Sequence, residues 1–368
     1  MSRRMTEYSK KRGKGLKKQM EQIKNAGNFL VYLLLIAILP LLILISPNQN
    51  RMKEPQSDIE DDSTNTEEEL RLEEEYPSEF QQESDPEKIE CVLLYDEATK
   101  TILSVDCAEY MRYATACEMP ALYEEEALKA QAVAAWTYVL YQTLNATDPN
   151  QPVLTVNTAN YTGFCREEDL KKLWGNAYNE FAQKLDRVVN SVKGQWISYE
   201  GQPILAAYFA SSAGKTEDSG NVWGRSLPYL KPVEIGADLS SKQYKQQFTF
   251  LTEDLETRLN LAAEGLIFPE SKAEYFTDFI RSESETVLSV SVGGKIWTGQ
   301  QIRHALSLPS AAFSVDYQGD NFILTTHGYG HFVGFSQYGA NELAKNGMSY
   351  DQILSYFYTQ TSLEKPKS

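Results

Sequence analysis

The chain is poor in histidine and cysteine, with three and four among 368 residues. His327 and His331 are four apart, but Gly328 and Gly330 between them argue against a helix, and no third ligand is evident in the sequence. A zinc pair is therefore not expected, and no metal or cofactor is assigned. The four cysteines, Cys91, Cys107, Cys117 and Cys165, permit two disulfides in three connectivities, or buried free thiols. Cys117, beside Glu118, reads as a small core residue rather than a nucleophile. A hydrolase elbow is lacking because Tyr338 stands where Gly334-x-Ser336 would need a closing glycine. A phosphate loop is lacking because Phe209 stands where Gly214-Lys-Thr216 would need an upstream one. There is no internal repeat. Positive charge is also short, 35 Lys and Arg against 51 Asp and Glu, a net of −16. Such a surface repels nucleic-acid phosphates, so no nucleic-acid partner is expected.

That charge is unevenly spread. Residues 1–28 carry nine basic residues against Glu7 and Glu21, a net of +7. Residues 29–46 are apolar apart from Tyr32, Pro40 and Ser46, long enough to cross a ~30 Å hydrocarbon layer. This reads as one uncleaved transmembrane helix, because no small-x-small cleavage site follows it. The positive-inside rule places the N-terminus in the cytoplasm, making a single-pass protein of the cell membrane with everything after Ser46 outside. Residues 47–90 are an acidic, self-repelling linker with a net of −12 over 51–90. Residues 91–368 keep −11 and form the globular part.

Within it, Val92–Tyr95 and Thr101–Val105 read as strands, Arg166–Trp174 and Tyr178–Val192 as helices, and Trp196–Tyr199 with Pro203–Ala210 as a hairpin. Residues 236–282 are uninformative beyond a helix from Glu253. Two further hairpins turn at Gly293-Gly294 and Gly319-Asp320. Capping boxes at Thr298-x-x-Gln301 and Ser349-x-x-Gln352 open helices, and another helix runs from about Gln337 to Lys345. Strands and helices do not alternate regularly. The fold class is therefore α+β: a hairpin-rich mixed domain around a central Ala-rich helix, preceded by the one transmembrane helix.

That central helix follows Glu118-Met-Pro120. Glu124, Glu125 and Glu126 favour its first turn, and Leu128, Ala132, Ala135 and Val139 share a stripe running toward Leu144. Glu118 thus reads as a lone carboxylate just before a helix start. The block Glu118-Met-Pro with Glu126-Ala-Leu-Lys-Ala-Gln-Ala-Val-Ala-Ala135 resembles the core of the stage II sporulation protein D (SpoIID/LytB) family. Tyr208–Glu217 with Val222-Trp223-Gly224 resembles its middle block, and Gly330–Ala340 its final Gly-His-Gly-Val-Gly-Met-Ser-Gln-Tyr-Gly-Ala signature. The resemblance covers residues 90 to the end. It departs at Trp136 for the usual Arg, Phe332 for Gly and Phe335 for Met; Asn157–Tyr161 lacks the Cys and His by which some members bind zinc.

The resemblance implies a peptidoglycan lytic transglycosylase with Glu118 as its acid and base. It would cut MurNAc–GlcNAc bonds of peptide-stripped glycan strands during sporulation engulfment, with a cell-wall amidase of the stage II sporulation protein P type as partner. The alternative it carries is a non-catalytic glycan-binding activator of an amidase. Glu118 needs a raised pKa. Desolvation, up to ~3–5 units, is expected to outweigh the nearby helix N-terminus, worth ~0.3–1 kcal/mol. Substrate-binding candidates are Lys129 and Gln131 on the helix, Ser211, Ser212 and Thr216 on the middle loop, and His331, Ser336, Gln337 and Tyr338 in the glycine-rich block. A second carboxylate among Glu124–Glu126 would instead suit a hydrolytic muramidase.

Overall fold

The computed structural model describes residues 85–148 and 150–366. The basic tail, the apolar segment and all but the end of the acidic linker lie outside them. Among the described residues, no helix is long and apolar enough to cross a membrane.

The chain opens with a hairpin of β1 (Cys91–Asp96) and β2 (Thr101–Asp106). Asp106 then caps α1 (Cys107–Glu118), its side chain accepting from the Glu109 amide. After a six-residue loop comes α2 (Glu125–Leu144). From Ala127 to Leu140 every residue of α2 but Lys129 is buried. A helix this apolar on all sides belongs at the centre of a core, and its alanines let neighbours approach closely. β3 (Leu154–Val156) adds to β1 in parallel. α3 (Glu167–Trp174) and α4 (Tyr178–Val192) follow, with α4 packed on both α1 and α2. β4 (Trp196–Tyr199) and β5 (Gln202–Pro203) make a shorter hairpin than the sequence suggests. β6 (Tyr208–Phe209) leaves it to pair elsewhere, and α5 (Ser219–Trp223) closes the middle block.

Residues 245–327 form a second core. β7 (Lys245–Leu251), α6 (Thr252–Ala262), β8 (Phe276–Arg281), β9 (Val287–Val292), β10 (Lys295–Trp297), α7 (Gly299–Leu306), β11 (Phe313–Gln318) and β12 (Asn321–His327) bury Phe250, Leu255, Val290, Trp297, Phe313 and Phe322 among themselves. The sheets are β10-β9-β8 and β11-β12-β7. The chain then re-enters the first core. β13 (Phe335–Ser336) pairs in parallel with β6, α8 (Gln337–Lys345) and α9 (Tyr350–Phe357) pack on α2, and β14 (Ser362–Glu364) adds to β4. The class is α+β around a central Ala-rich helix, as the sequence suggests.

Cys117 and Cys165 are bonded to each other, Cα atoms 6.1 Å apart, while Cys91 and Cys107 are free.

Candidate active site

Glu118 is the last residue of α1, not the entry to α2, which begins seven residues later. The helix end that carries Glu118 is therefore a C-terminus. A helix C-terminus carries partial negative charge, so it pushes a carboxyl pKa in the same direction as burial. Glu118 is 2% exposed, and desolvation raises its pKa from 4.5 to about 8. Gln337 opposes this weakly: its Nε2 donates to Glu118 Oε2 at 3.4 Å and to Gln131 Oε1 at 3.3 Å. Gln131 Nε2 is buried with no partner of its own. Burial holds the phenols of Tyr110 and Tyr208 protonated, and any ionisation of nearby Glu118 would hold them further so. A protonated acid among amides and phenols is the result.

Three segments are brought to this point. Lys184 of α4 donates to the carbonyls of Ala121 and Tyr123, fixing the loop between Glu118 and α2. The Glu124 amide donates to Asn341 Oδ1 at 2.9 Å, joining α2 to α8. Asp238, buried, accepts from Ser212 N and Ser212 Oγ, each at 2.6 Å, and from Ser336 Oγ at 2.8 Å. Ser336 Oγ also receives the Gly339 amide at 3.1 Å, so it caps the helix whose first residue is Gln337. Asp238 thus ties the middle block to the signature that carries Gln337. Burial raises its pKa to about 6, against the hydrogen bonds from Ser212 and Ser336. Neither Lys184 nor Asp238 was marked in sequence.

The other candidates are placed as follows. Lys129 is partly buried and pairs with Glu126 at 2.6 Å. Thr216 Oγ1 accepts from Val233 N at 2.8 Å and supports the loop. Ser211 is joined by its backbone to Tyr329, and its hydroxyl is buried without a partner. Tyr338 donates to Ser240 O at 3.2 Å and is partly exposed. His331 is buried between the rings of Trp223, 5.2 Å away, and Phe209, 5.7 Å away, and its Nδ1 accepts from Val333 N. Burial, then the Arg303 guanidinium, push its pKa down to about 3, so the imidazole is neutral. Glu125 pairs with Arg187, and Glu126 also receives the Tyr350 amide. Gly334, at φ +80°, lies where a Cβ would sit 2.3 Å from Ala207 O, which explains a glycine at that point.

A family model described as stage II sporulation protein matches residues 95–199, which span Glu118 and α2. Stage II sporulation protein D of Bacillus subtilis (strain 168) is 34% identical over 274 residues, 74% of this chain and 78% of that protein. The chain belongs to the stage II sporulation protein D family. The protein of that name from Bacillus amyloliquefaciens is 32% identical, over 75% of this chain and 79% of its own length. An amidase enhancer of Bacillus subtilis (strain 168) is 28% identical, over 67% of this chain but 39% of its own.

The departures from the family signature now have a setting. Phe332 keeps a left-handed backbone, φ +69°, where the signature has glycine. That conformation costs a bulky residue about 1–2 kcal/mol, offset by burying its ring against Phe209. Trp136 is 2% exposed and rests on Tyr110, so it fills core. Phe335 lies against Phe357 and Tyr358, also in the core.

Proposed function

We propose that this protein is a lytic transglycosylase that cleaves peptidoglycan glycan strands through Glu118. The observation that carries this reading is a buried carboxyl raised to about 8, held by the Gln337 amide, with no other carboxylate perturbing it. A hydrolase that inverts or retains needs a second carboxylate, whereas one group suffices when the nucleophile belongs to the sugar. Protonated Glu118 gives its proton to the glycosidic oxygen between N-acetylmuramic acid and N-acetylglucosamine as the C1–O bond breaks. The C6 hydroxyl then closes on C1, and the Glu118 carboxylate takes the hydroxyl proton. The product is a 1,6-anhydro sugar, no water is consumed, and the acid is regenerated. Because Glu118 is almost wholly covered, the strand reaches it only when a neighbouring side chain moves.

Family membership supports sporulation as the setting, on strands already stripped of peptide. The apolar segment 29–46 would hold the protein at the cell membrane with residues 91–368 outside. Similarity to the amidase enhancer supports a second reading, a glycan-binding protein that activates a cell-wall amidase without cutting strands itself.

The test is mass spectrometry of peptide-free glycan strands incubated with the full chain and with Glu118→Gln. Anhydro-ended fragments are expected from the wild type, with a loss of about 10²–10⁴-fold in the variant. Reducing-end fragments would make it a hydrolase. Uncut strands with glycan binding retained would favour the amidase reading.

A further inference from the structure

Arg303 of α7 is 2% exposed, yet no carboxylate among the described residues pairs with it. Its Nε donates to Leu308 O at 3.4 Å and its Nη1 to Gln300 Oε1 at 3.3 Å, both long contacts to neutral acceptors. Its Nη2 is buried and donates to nothing. A buried guanidinium stays charged at neutral pH, and leaving that charge uncompensated is unfavourable. Here the missing partner is an anion.

Its surroundings indicate where an anion would enter. Tyr329, a phenol kept protonated by burial, is the titratable group near enough to bear on Arg303. It lies on the glycine-rich loop and pairs with Ser211 in an antiparallel bridge, Ser211 N to Tyr329 O at 3.1 Å and Tyr329 N to Ser211 O at 2.6 Å. Directly opposed residues of such a bridge stand on one face, so the unpartnered Ser211 hydroxyl flanks Tyr329. Gly330 N donates to Pro309 O at 3.0 Å, binding the exit of α7 to the same loop. Next along it is His331, close enough to feel Arg303 but neutral, so it cannot supply the positive charge itself. Two buried polar groups without partners, one of them cationic, therefore both neighbour Tyr329, on the loop that leads to Gln337.

We propose that Arg303, with Tyr329 and Ser211, forms a carboxylate subsite that takes the lactyl group of N-acetylmuramic acid. This rests on the glycan reading above and deepens it. The lactyl carboxylate is free only where the stem peptide has been removed; where the peptide remains, the same carbon is a neutral amide. Planar guanidinium matches planar carboxylate, whereas an amide leaves the charge unanswered and brings a peptide into a closed seam. Arg303 is therefore a specificity-determining residue that selects peptide-stripped strands. Tyr329 is partly exposed and Arg303 is not, so the carboxylate enters past the Tyr329 ring.

The test is titration calorimetry of the full chain with N-acetylmuramic acid, its lactyl amide and N-acetylglucosamine. The wild type is expected to bind the acid at least tenfold more tightly than either neutral sugar. Arg303→Met should abolish that preference without weakening the amide, and Arg303→Lys, which keeps the charge but not the fork, should retain part of it. Equal binding of acid and amide by the wild type overturns the proposal with no variant needed, as does a parallel loss for all three sugars in Arg303→Met. Preference for the acid without strand cleavage would keep the subsite and sink the transglycosylase; cleavage indifferent to the lactyl charge would do the reverse.

Discussion

Burial that raises Glu118 to about 8 also costs stability, and the sign can be followed through pH. The folded state holds the Glu118 proton where the unfolded chain, titrating near 4.5, has released it. Stability contributed by this group therefore falls as pH rises from 4.5 through 8 and is level above. Glu118→Gln, isosteric and never charged, should match the wild type near pH 4.5 and exceed it by a few kcal/mol above pH 8. Urea unfolding of both proteins at several pH values measures the difference, and parallel curves would mean that Glu118 is not shifted in solution. Activity should fall as pH rises through about 8, where the acid form is lost. The Gln337 amide pulls this pKa down, so Gln337→Leu should move the alkaline limb of the rate profile upward. An unmoved limb would show that Gln337 does not touch Glu118 in the working enzyme.

At the scale of elements, α1 must end and α8 must begin at the right place for Glu118 and Gln337 to meet, and each is pinned there. The Cys117–Cys165 bond holds the end of α1 to the loop before α3, closing 48 residues of sequence. Loop-closure entropy for that span sets a ceiling of about 4 kcal/mol. Cys165→Ala should cost about 2–4 kcal/mol, and a reductant should bring the wild type down to the variant. If reductant leaves the wild-type melting curve unchanged, the bond adds no stability. For α8 the pin is Asp238, the acceptor for Ser212 and Ser336. Asp238→Ala strands three donors in the interior and should cost about 2–4 kcal/mol by equilibrium unfolding. Its folded-state pKa, about 6, lies above the ordinary 3.8, so the wild type takes up a proton on folding between these values and gains stability as pH falls through that window; the gap between the two should therefore widen from pH 6 down to about 4.

Across the whole molecule, what was legible in the sequence was local. The hairpin β1–β2, helix α4, the hairpin β9–β10 and the capping boxes of α7 and α9 follow from periodicity, turn glycines and caps within a few residues. Glu118 stood out in the sequence as a candidate, but the helix that carries it did not, because Pro120 and the acidic run after it pointed only forward to α2. Asp238 was invisible because the donors it accepts from lie 26 and 98 residues away, and β6 left its hairpin to pair with a strand near the end of the chain. The seam between the two cores is of the same kind. Buried Glu217 accepts from Asp218 N and Asn221 Nδ2 on its own loop and from Ser282 Oγ of the second core, while Ser284 Oγ donates to Thr216 O at 2.6 Å. Polar contacts of this sort, with separate apolar cores on either side, make the seam the place where the molecule opens first. Glu217→Ala removes the shared acceptor, so amides at 215–219 and 282–286 should exchange with solvent at least tenfold faster, while those of α2 between Ala130 and Val139 keep their protection. Equal acceleration in α2 would mean that the two cores unfold together and that Glu217 acts on global stability alone.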